Sequence, residues 1–434
     1  MEKSKHNIIS KIAGFDKYFV VNLLSQNADI ISGKEAEILM SDKEINNNEF
    51  IEKGYVVDSL AEEELYREKY LNFIDLRESD ELQLFFVINY SCNFDCSYCY
   101  QKEYTNEKSA LDFKVIDAFF TFIESAFAGR SKYITIFGGE PLINSHKQRK
   151  IISYFIEKAN RANLEIAVVT NGYHLVDYMP VLKKARIREL QVTLDGVGEA
   201  HDRRRALAGG GKTFDKIVQG IDKALQEKIP VNLRVVVDKE NVNELPKLAK
   251  FAIEKKWTNS PLFKTQLGRN YELHSCQKSG DKLYSRISMY KDVYMLLKNY
   301  PEIAEFHKPT FSVSKFLFEN GELPAPLFDS CPGAKTEWAF DYSGKIYACT
   351  ATVGKSGEEL GMFYPEIRMD EQKILEWEDR DILAIEKCKD CELQLACGGG
   401  CAAVAKNKNG SIVSNDCRPV KELLELGISY YFNK

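Results

Sequence analysis

The chain has 434 residues, of which 44% are hydrophobic and 28% charged, and no apolar run nears the roughly 20 residues that span a bilayer. A net charge of −5 argues against a general nucleic-acid binder, which needs an excess of Lys and Arg to neutralise phosphates. The N-terminus lacks the apolar core of a secretory signal, so the eleven cysteines fit a reducing, cytoplasmic setting in which clustered thiols bind metal or do redox chemistry.

Residues 1–80 mix short elements. The pattern predicts a strand over about 15–24, a helix over 32–40, a second over 49–53, a strand over 55–58 and a helix over about 60–73. Such a mixture suggests a small winged-helix-like unit, either a cap on the barrel that follows or a peptide-docking module.

From residue 82 strands and helices alternate. Strands are expected at 82–89, 133–137, 164–170, 189–194, 231–237 and 262–267. Helices are expected at 111–127, 145–160, 175–185, 214–227 and 244–255. The fold class is therefore α/β, a partial (β/α)6 TIM-like barrel, with its chemistry at the C-terminal ends of the strands. The unusual motifs all fall at those ends. Cys92, Cys96 and Cys99, spaced C-x3-C-x2-C, follow strand one. Gly138, Gly139, Glu140 and Pro141 follow strand two. Asn171 and Gly172 follow strand three, and Thr193 to Gly196 end strand four. Three thiolates can hold three irons of a 4Fe–4S cluster and leave the fourth open, whereas a structural zinc loop is the competing reading. Gly209 to Thr213 imitates the end of a P-loop, but Ala206 stands where its first glycine belongs, so a turn before a helix is expected.

The other cysteines are Cys276, alone, and seven at Cys331, Cys349, Cys388, Cys391, Cys397, Cys401 and Cys417, with glycines at 398–400 that let a loop fold closely round a metal. On chemistry alone these fit zinc ribbons as well as iron–sulfur clusters.

The triplet, with Tyr98 before its third cysteine, resembles the signature of the radical S-adenosylmethionine (radical SAM) enzymes. The C-terminal cysteine order resembles the SPASM domain that carries auxiliary clusters behind such barrels. The resemblance covers about 82–417 and implies domains at 1–80, 81–310 and 311–434, the last a cysteine-rich iron–sulfur unit. It implies S-adenosylmethionine and three 4Fe–4S clusters as cofactors. By it, Gly138, Gly139 and Glu140 bind the amino end of the methionine moiety. Thr193, with Arg205 after His201 and Asp202, holds its carboxylate, while Arg203 and Arg204 are solvated neighbours. Tyr98 contacts the adenine region and Asn171 lines the ribose side. Cys388, Cys391, Cys397 and Cys417 close one auxiliary cluster, and Cys331, Cys349 and Cys401 belong to the other. A further cysteine usual just before the position of Cys331 is replaced by Leu-Pro-Ala-Pro-Leu-Phe at 323–328. Either Cys276 reaches in, another residue ligates, or the iron is open to a substrate thiolate.

The implied chemistry is one-electron cleavage of S-adenosylmethionine to a 5′-deoxyadenosyl radical that takes hydrogen from carbon. The expected partners are a precursor peptide or protein substrate and an electron donor such as flavodoxin or ferredoxin, with no nucleic acid and no membrane. The favoured function is crosslinking, by thioether or carbon–carbon bond, of a ribosomally made peptide. The alternative is an anaerobic sulfatase-maturing enzyme, disfavoured by the N-terminal unit and by Thr350 where an acidic residue is usual. A zinc-binding interaction protein is the reading from another class.

Overall fold

The structure, a computed structural model, describes residues 1–41, 43–103, 111–270 and 281–432. The N-terminal unit opens with β1 (Glu2–Lys3) and an antiparallel meander of β2 (Asn7–Lys11), β3 (Lys17–Asn22) and β4 (Asn27–Ser32). α1 (Gly33–Met40) begins on a capping box, in which Ser32 accepts from the Glu35 amide while the Glu35 carboxylate takes the Ser32 amide. α2 (Asn48–Glu52), β5 (Val56–Val57), which pairs with β1, and the long α3 (Ser59–Ser79) complete the unit.

The unit meets the barrel where Arg130, just before the strand at Lys132–Phe137, donates to the Arg77 and Asp80 carbonyls at 3.1 and 2.6 Å, and its apolar faces join C-terminal residues. Ile8, Ile12, Phe19 and Val21 join Leu323, Val420, Leu424 and Ile428 in one apolar cluster. Leu23 and Leu24 join Phe328, Ile382 and Leu395 in a second. Tyr66 donates to Gln394 Oε1 at 2.8 Å and Tyr70 to Asp381 Oδ2 at 2.7 Å. The first 80 residues thus pack on the last 120, beside the C-terminal cysteines.

The barrel runs β6 (Leu82–Val87), α4 (Phe113–Ala126), β7 (Lys132–Phe137), α5 (His146–Arg161), β8 (Ile166–Thr170), α6 (Leu175–Leu182), β9 (Ile187–Thr193), α7 (Glu199–Arg204), α8 (Phe214–Gln226), β10 (Val231–Val237), α9 (Leu245–Glu254) and β11 (Phe263–Arg269). The six strands pair in parallel in chain order. Alternate residues of β6 and β10 meet the helices. Phe86 packs on Phe119 and Phe155 with ring centroids 4.6 and 5.1 Å apart.

After β11 come α10 (Arg286–Asn299), α11 (Ile303–Phe306) and α12 (Ser314–Asn320). β12 (Glu337–Asp341) then pairs in parallel with β6, and β13 (Lys345–Tyr347), β14 (Glu359–Met362) and β15 (Arg368–Met369) extend the sheet antiparallel. Among the described residues the main sheet therefore has ten strands, not six. α13 (Glu371–Glu378), α14 (Gln394–Cys397), α15 (Ala402–Asn409) and α16 (Val420–Phe432) surround the C-terminal cysteines. No helix among the described residues is long and apolar enough to cross a membrane.

Candidate active site

The loop carrying Cys92, Cys96 and Cys99 leaves the C-terminal end of β6 and is held by backbone from two neighbours. The amides of Gly139 and Glu140 donate to the carbonyls of Asn89 (2.9 Å) and Ser91 (2.8 Å). On the other side Asp95 and Ser97 amides donate to Ala206 (2.9 Å) and Arg204 (3.0 Å), and the Ala208 amide to Asn93 (2.8 Å). A Cβ on Gly139 would sit 2.2 Å from the Ser91 carbonyl oxygen, and one on Gly138 2.3 Å from that of Asn89. The close approach that these glycines permit is thus made by the cysteine loop's own backbone. The three thiols lie near enough to repel one another as thiolates, and the Phe94 amide points at Cys92 Sγ at 3.4 Å.

Glu140 is buried, and both its oxygens are engaged. Oε1 accepts from Leu142 N (2.8 Å) and Thr170 Oγ1 (2.7 Å), and Oε2 from Asn171 N (2.6 Å). Burial pushes its carboxyl up to about 6, against the pull of those hydrogen bonds. Glu140 therefore ties the loop after β7 to the loop after β8. Asn171, also buried, donates to Asn93 Oδ1 at 2.8 Å and so touches the cysteine loop directly.

Tyr98 joins the opposite wall. Its hydroxyl donates to Asp195 Oδ2 (2.5 Å) and accepts from Arg205 Nη1 (2.6 Å). Burial penalises the Arg205 charge, but Cys96, Tyr98 and Asp195 more than offset it and hold the guanidinium protonated. Thr193 is buried at the end of β9. Arg204 corrects the sequence reading. It is buried, not solvated, and makes two 2.9 Å bonds to Asp238. His201 accepts the Asp195 amide at 3.1 Å, and Asp202 takes the amides of Thr213 (2.8 Å) and Phe214 (2.9 Å) at the start of α8. The Gly209 to Thr213 stretch is thus the expected turn before a helix.

One residue escaped sequence reasoning. Arg234 stands in register with Thr193, and its guanidinium lies over Gly268 of β11. The single charge in the valine-rich β10, Val231–Val237, was the available signal.

The C-terminal thiols gather in two groups by proximity. Cys388 lies near Cys397, Cys391 and Cys417, and Cys349 near Cys331 and Cys401. Burial, with the neighbouring thiols, pushes Cys388 up to about 11. Arg380, fully buried, ties the loops together. Its nitrogens donate to the carbonyls of Ile412 (2.6 Å), Gly399 (3.0 Å) and Ser414 (3.2 Å), and pair with Asp329 (3.3 Å). Asp329 in turn holds Lys335 at 2.7 Å and accepts the Cys331 amide at 3.0 Å. A Cβ on Gly400 would meet the Asp416 carbonyl at 2.0 Å, so that glycine brings the Cys401 loop against the Cys417 segment. Cys276 lies outside the described residues.

All-thiol groups with donors aimed at sulfur suit iron–sulfur ligation. Among the described residues no three His, Cys, Asp or Glu side chains converge as ligands of a single ion. Ligands of a four-iron cluster each hold a different iron and stand further apart.

Residues 86–252 match the model of the Radical SAM superfamily. GTP 3′,8-cyclase of Campylobacter jejuni is 34% identical over 171 residues, 38% of this chain and 50% of that protein. Fe-coproporphyrin III synthase of Methanosarcina barkeri is 30% identical over 171 residues, 38% and 39% of the two chains. The chain spans about half the length of the curated relatives it matches first. Among solved structures, native anSMEcpe with bound AdoMet and Cp18Cys peptide superposes with a TM-score of 0.63 at 19% identity, covering 82% of this chain and 99% of that one. SuiB of Streptococcus suis bound to S-adenosylmethionine gives 0.55 at 15% identity, over 97% and 99%. At these identities the likeness is one of fold. The segment that matches the Radical SAM superfamily model carries the cysteine loop and five of the six alternating barrel strands.

Proposed function

We propose that the chain is a radical SAM enzyme that installs a thioether or carbon–carbon crosslink in a ribosomally made peptide. The observation that carries the reading is the meeting of the loops after β6, β7, β8 and β9 round the three thiols at one end of the barrel. Cys92, Cys96 and Cys99 hold a 4Fe–4S cluster. When bound, that cluster supplies one electron to S-adenosylmethionine and so opens radical hydrogen abstraction. Backbone at Gly138 and Gly139, braced by Glu140, receives the cofactor's amino group. Thr193 and Arg205 receive its carboxylate, and Tyr98 and Asn171 border the nucleoside.

Cys388, Cys391, Cys397 and Cys417 hold one auxiliary cluster, and Cys331, Cys349 and Cys401 hold another. In this reading the second cluster, with no fourth cysteine just before Cys331, keeps an iron for a substrate thiolate. The peptide reading is supported by the SuiB fold, which extends over 97% of this chain and is also known bound to its precursor peptide SuiA. The anSMEcpe fold, solved with a peptide too, covers 82% and supports sulfatase-type maturation as the second reading. The N-terminal unit and Thr350 favour the first.

The test is anaerobic incubation of iron-loaded protein with S-adenosylmethionine, reductant and the short peptide encoded beside its gene. Mass spectrometry is expected to show loss of two hydrogens, with fragmentation blocked across the joined residues. Conversion of a sulfatase peptide's cysteine or serine to an aldehyde instead would establish the second reading.

A further inference from the structure

A cavity of about 480 Å³ lies between the last barrel strand and the C-terminal unit. Its apolar wall includes Leu267 of β11, Met289 and Tyr290 of α10, and Leu423 of α16. Arg269, Arg286 and Arg418 also line it, and Arg269 donates to the Tyr284 carbonyl. Arg286 is the first residue of α10, where the helix dipole disfavours a cation. Among the described residues it has no carboxylate partner. Arg418 has a buried Nε without a hydrogen bond.

The adjoining groove makes the contrast. There Lys264 pairs with Glu189 at 2.5 Å, and Lys308 and Lys315 with Glu319 at 3.3 and 3.9 Å. Arg286 and Arg418, which line the same cavity, have no such ion pair among the described residues. Two neighbouring guanidiniums beside apolar surface are unfavourable until an anion joins them. The cavity lies beside the C-terminal cysteines. Leu267 is near the C-terminal end of β11, and Ala396 and Arg418 adjoin Cys397 and Cys417.

We propose that this cavity binds a carboxylate side chain, Asp or Glu, of the peptide substrate between Arg286 and Arg418, with its aliphatic stem against Leu267 and Met289. A guanidinium fork matches a carboxylate, and apolar walls with a few convergent polar groups are the usual make-up of a ligand site. The assignment rests on the peptide reading above.

Two probes test it by calorimetry on the full-length, iron-loaded protein: acetyl-Ala-Glu-Ala-Ala-amide and acetyl-Ala-Gln-Ala-Ala-amide. The Glu probe is expected to bind about tenfold more tightly. That preference should vanish in Arg286→Ala and return in part in Arg286→Lys. It should persist in Lys250→Ala, which removes one charge from an exposed position of α9. Equal binding of the two probes overturns the assignment, as does a preference that survives Arg286→Ala. Inorganic phosphate that displaces the Glu probe at equal concentration also overturns it. S-adenosylmethionine cleavage by the wild-type protein is followed in parallel. Cleavage without a Glu preference removes the cavity assignment alone, and no cleavage removes the parent reading.

Discussion

The two cysteine regions are built in opposite ways. At the barrel mouth three thiols come from one eight-residue loop, and protein backbone on both sides fixes its path. In the C-terminal unit seven cysteines come from segments spread over 331–417, and a buried Arg380–Asp329–Lys335 network joins them. The first region is framed by backbone hydrogen bonds to its neighbours. The second must close long loops, so metal and buried charge bear more of its stability. Chemistry and stability should therefore separate under mutation.

The largest effect on activity is expected at Cys96→Ala. S-adenosylmethionine cleavage should fall to background, read by chromatography of 5′-deoxyadenosine, with little change in Tm. A large fall in Tm would mean that the mouth loop also depends on its metal. Arg380→Met should do the reverse. Breaking one partner of a buried ion pair costs about 3–5 kcal/mol. Denaturant melts should show it, and iron should be lost from the auxiliary sites while the barrel site keeps its own. If iron is lost equally from all three, the regions are not independent. Tyr98→Phe removes the hydroxyl shared by Asp195 and Arg205. It should weaken S-adenosylmethionine binding about tenfold, by calorimetry, and lower stability by about 1–2 kcal/mol. Smallest is Ser32→Ala, which loses the cap of α1 at about 1 kcal/mol and should leave cofactor cleavage unchanged.

The same contrast explains what was legible in the sequence. The barrel strands and helices follow a local period, and most begin or end within two residues of where the pattern placed them; β10 was placed to the residue. β2 and β4 were missed. Each is only five or six residues long, and β4 is half-exposed without clean alternation. β12 was missed for a different reason. It is completed by parallel pairing with β6, about 250 residues earlier, and no local pattern carries that information. Arg204 was misread because a run of arginines ordinarily faces water, whereas Asp238, 34 residues on, supplies a buried partner. The mouth motifs were legible because each sits at a strand end. The work of Gly138, Gly139 and Glu140 in bracing neighbouring loops was not, since it depends on the distance between two crossover connections.

The central claim is that the mouth thiols and the C-terminal thiols hold three clusters that serve one radical reaction. Its most direct test is metal analysis with S-adenosylmethionine turnover on anaerobically reconstituted protein. The account predicts about twelve irons per chain, falling to about eight in a Cys92→Ala, Cys96→Ala, Cys99→Ala triple variant that no longer cleaves the cofactor. Stoichiometric zinc with no iron and no cleavage in the wild-type protein would contradict it.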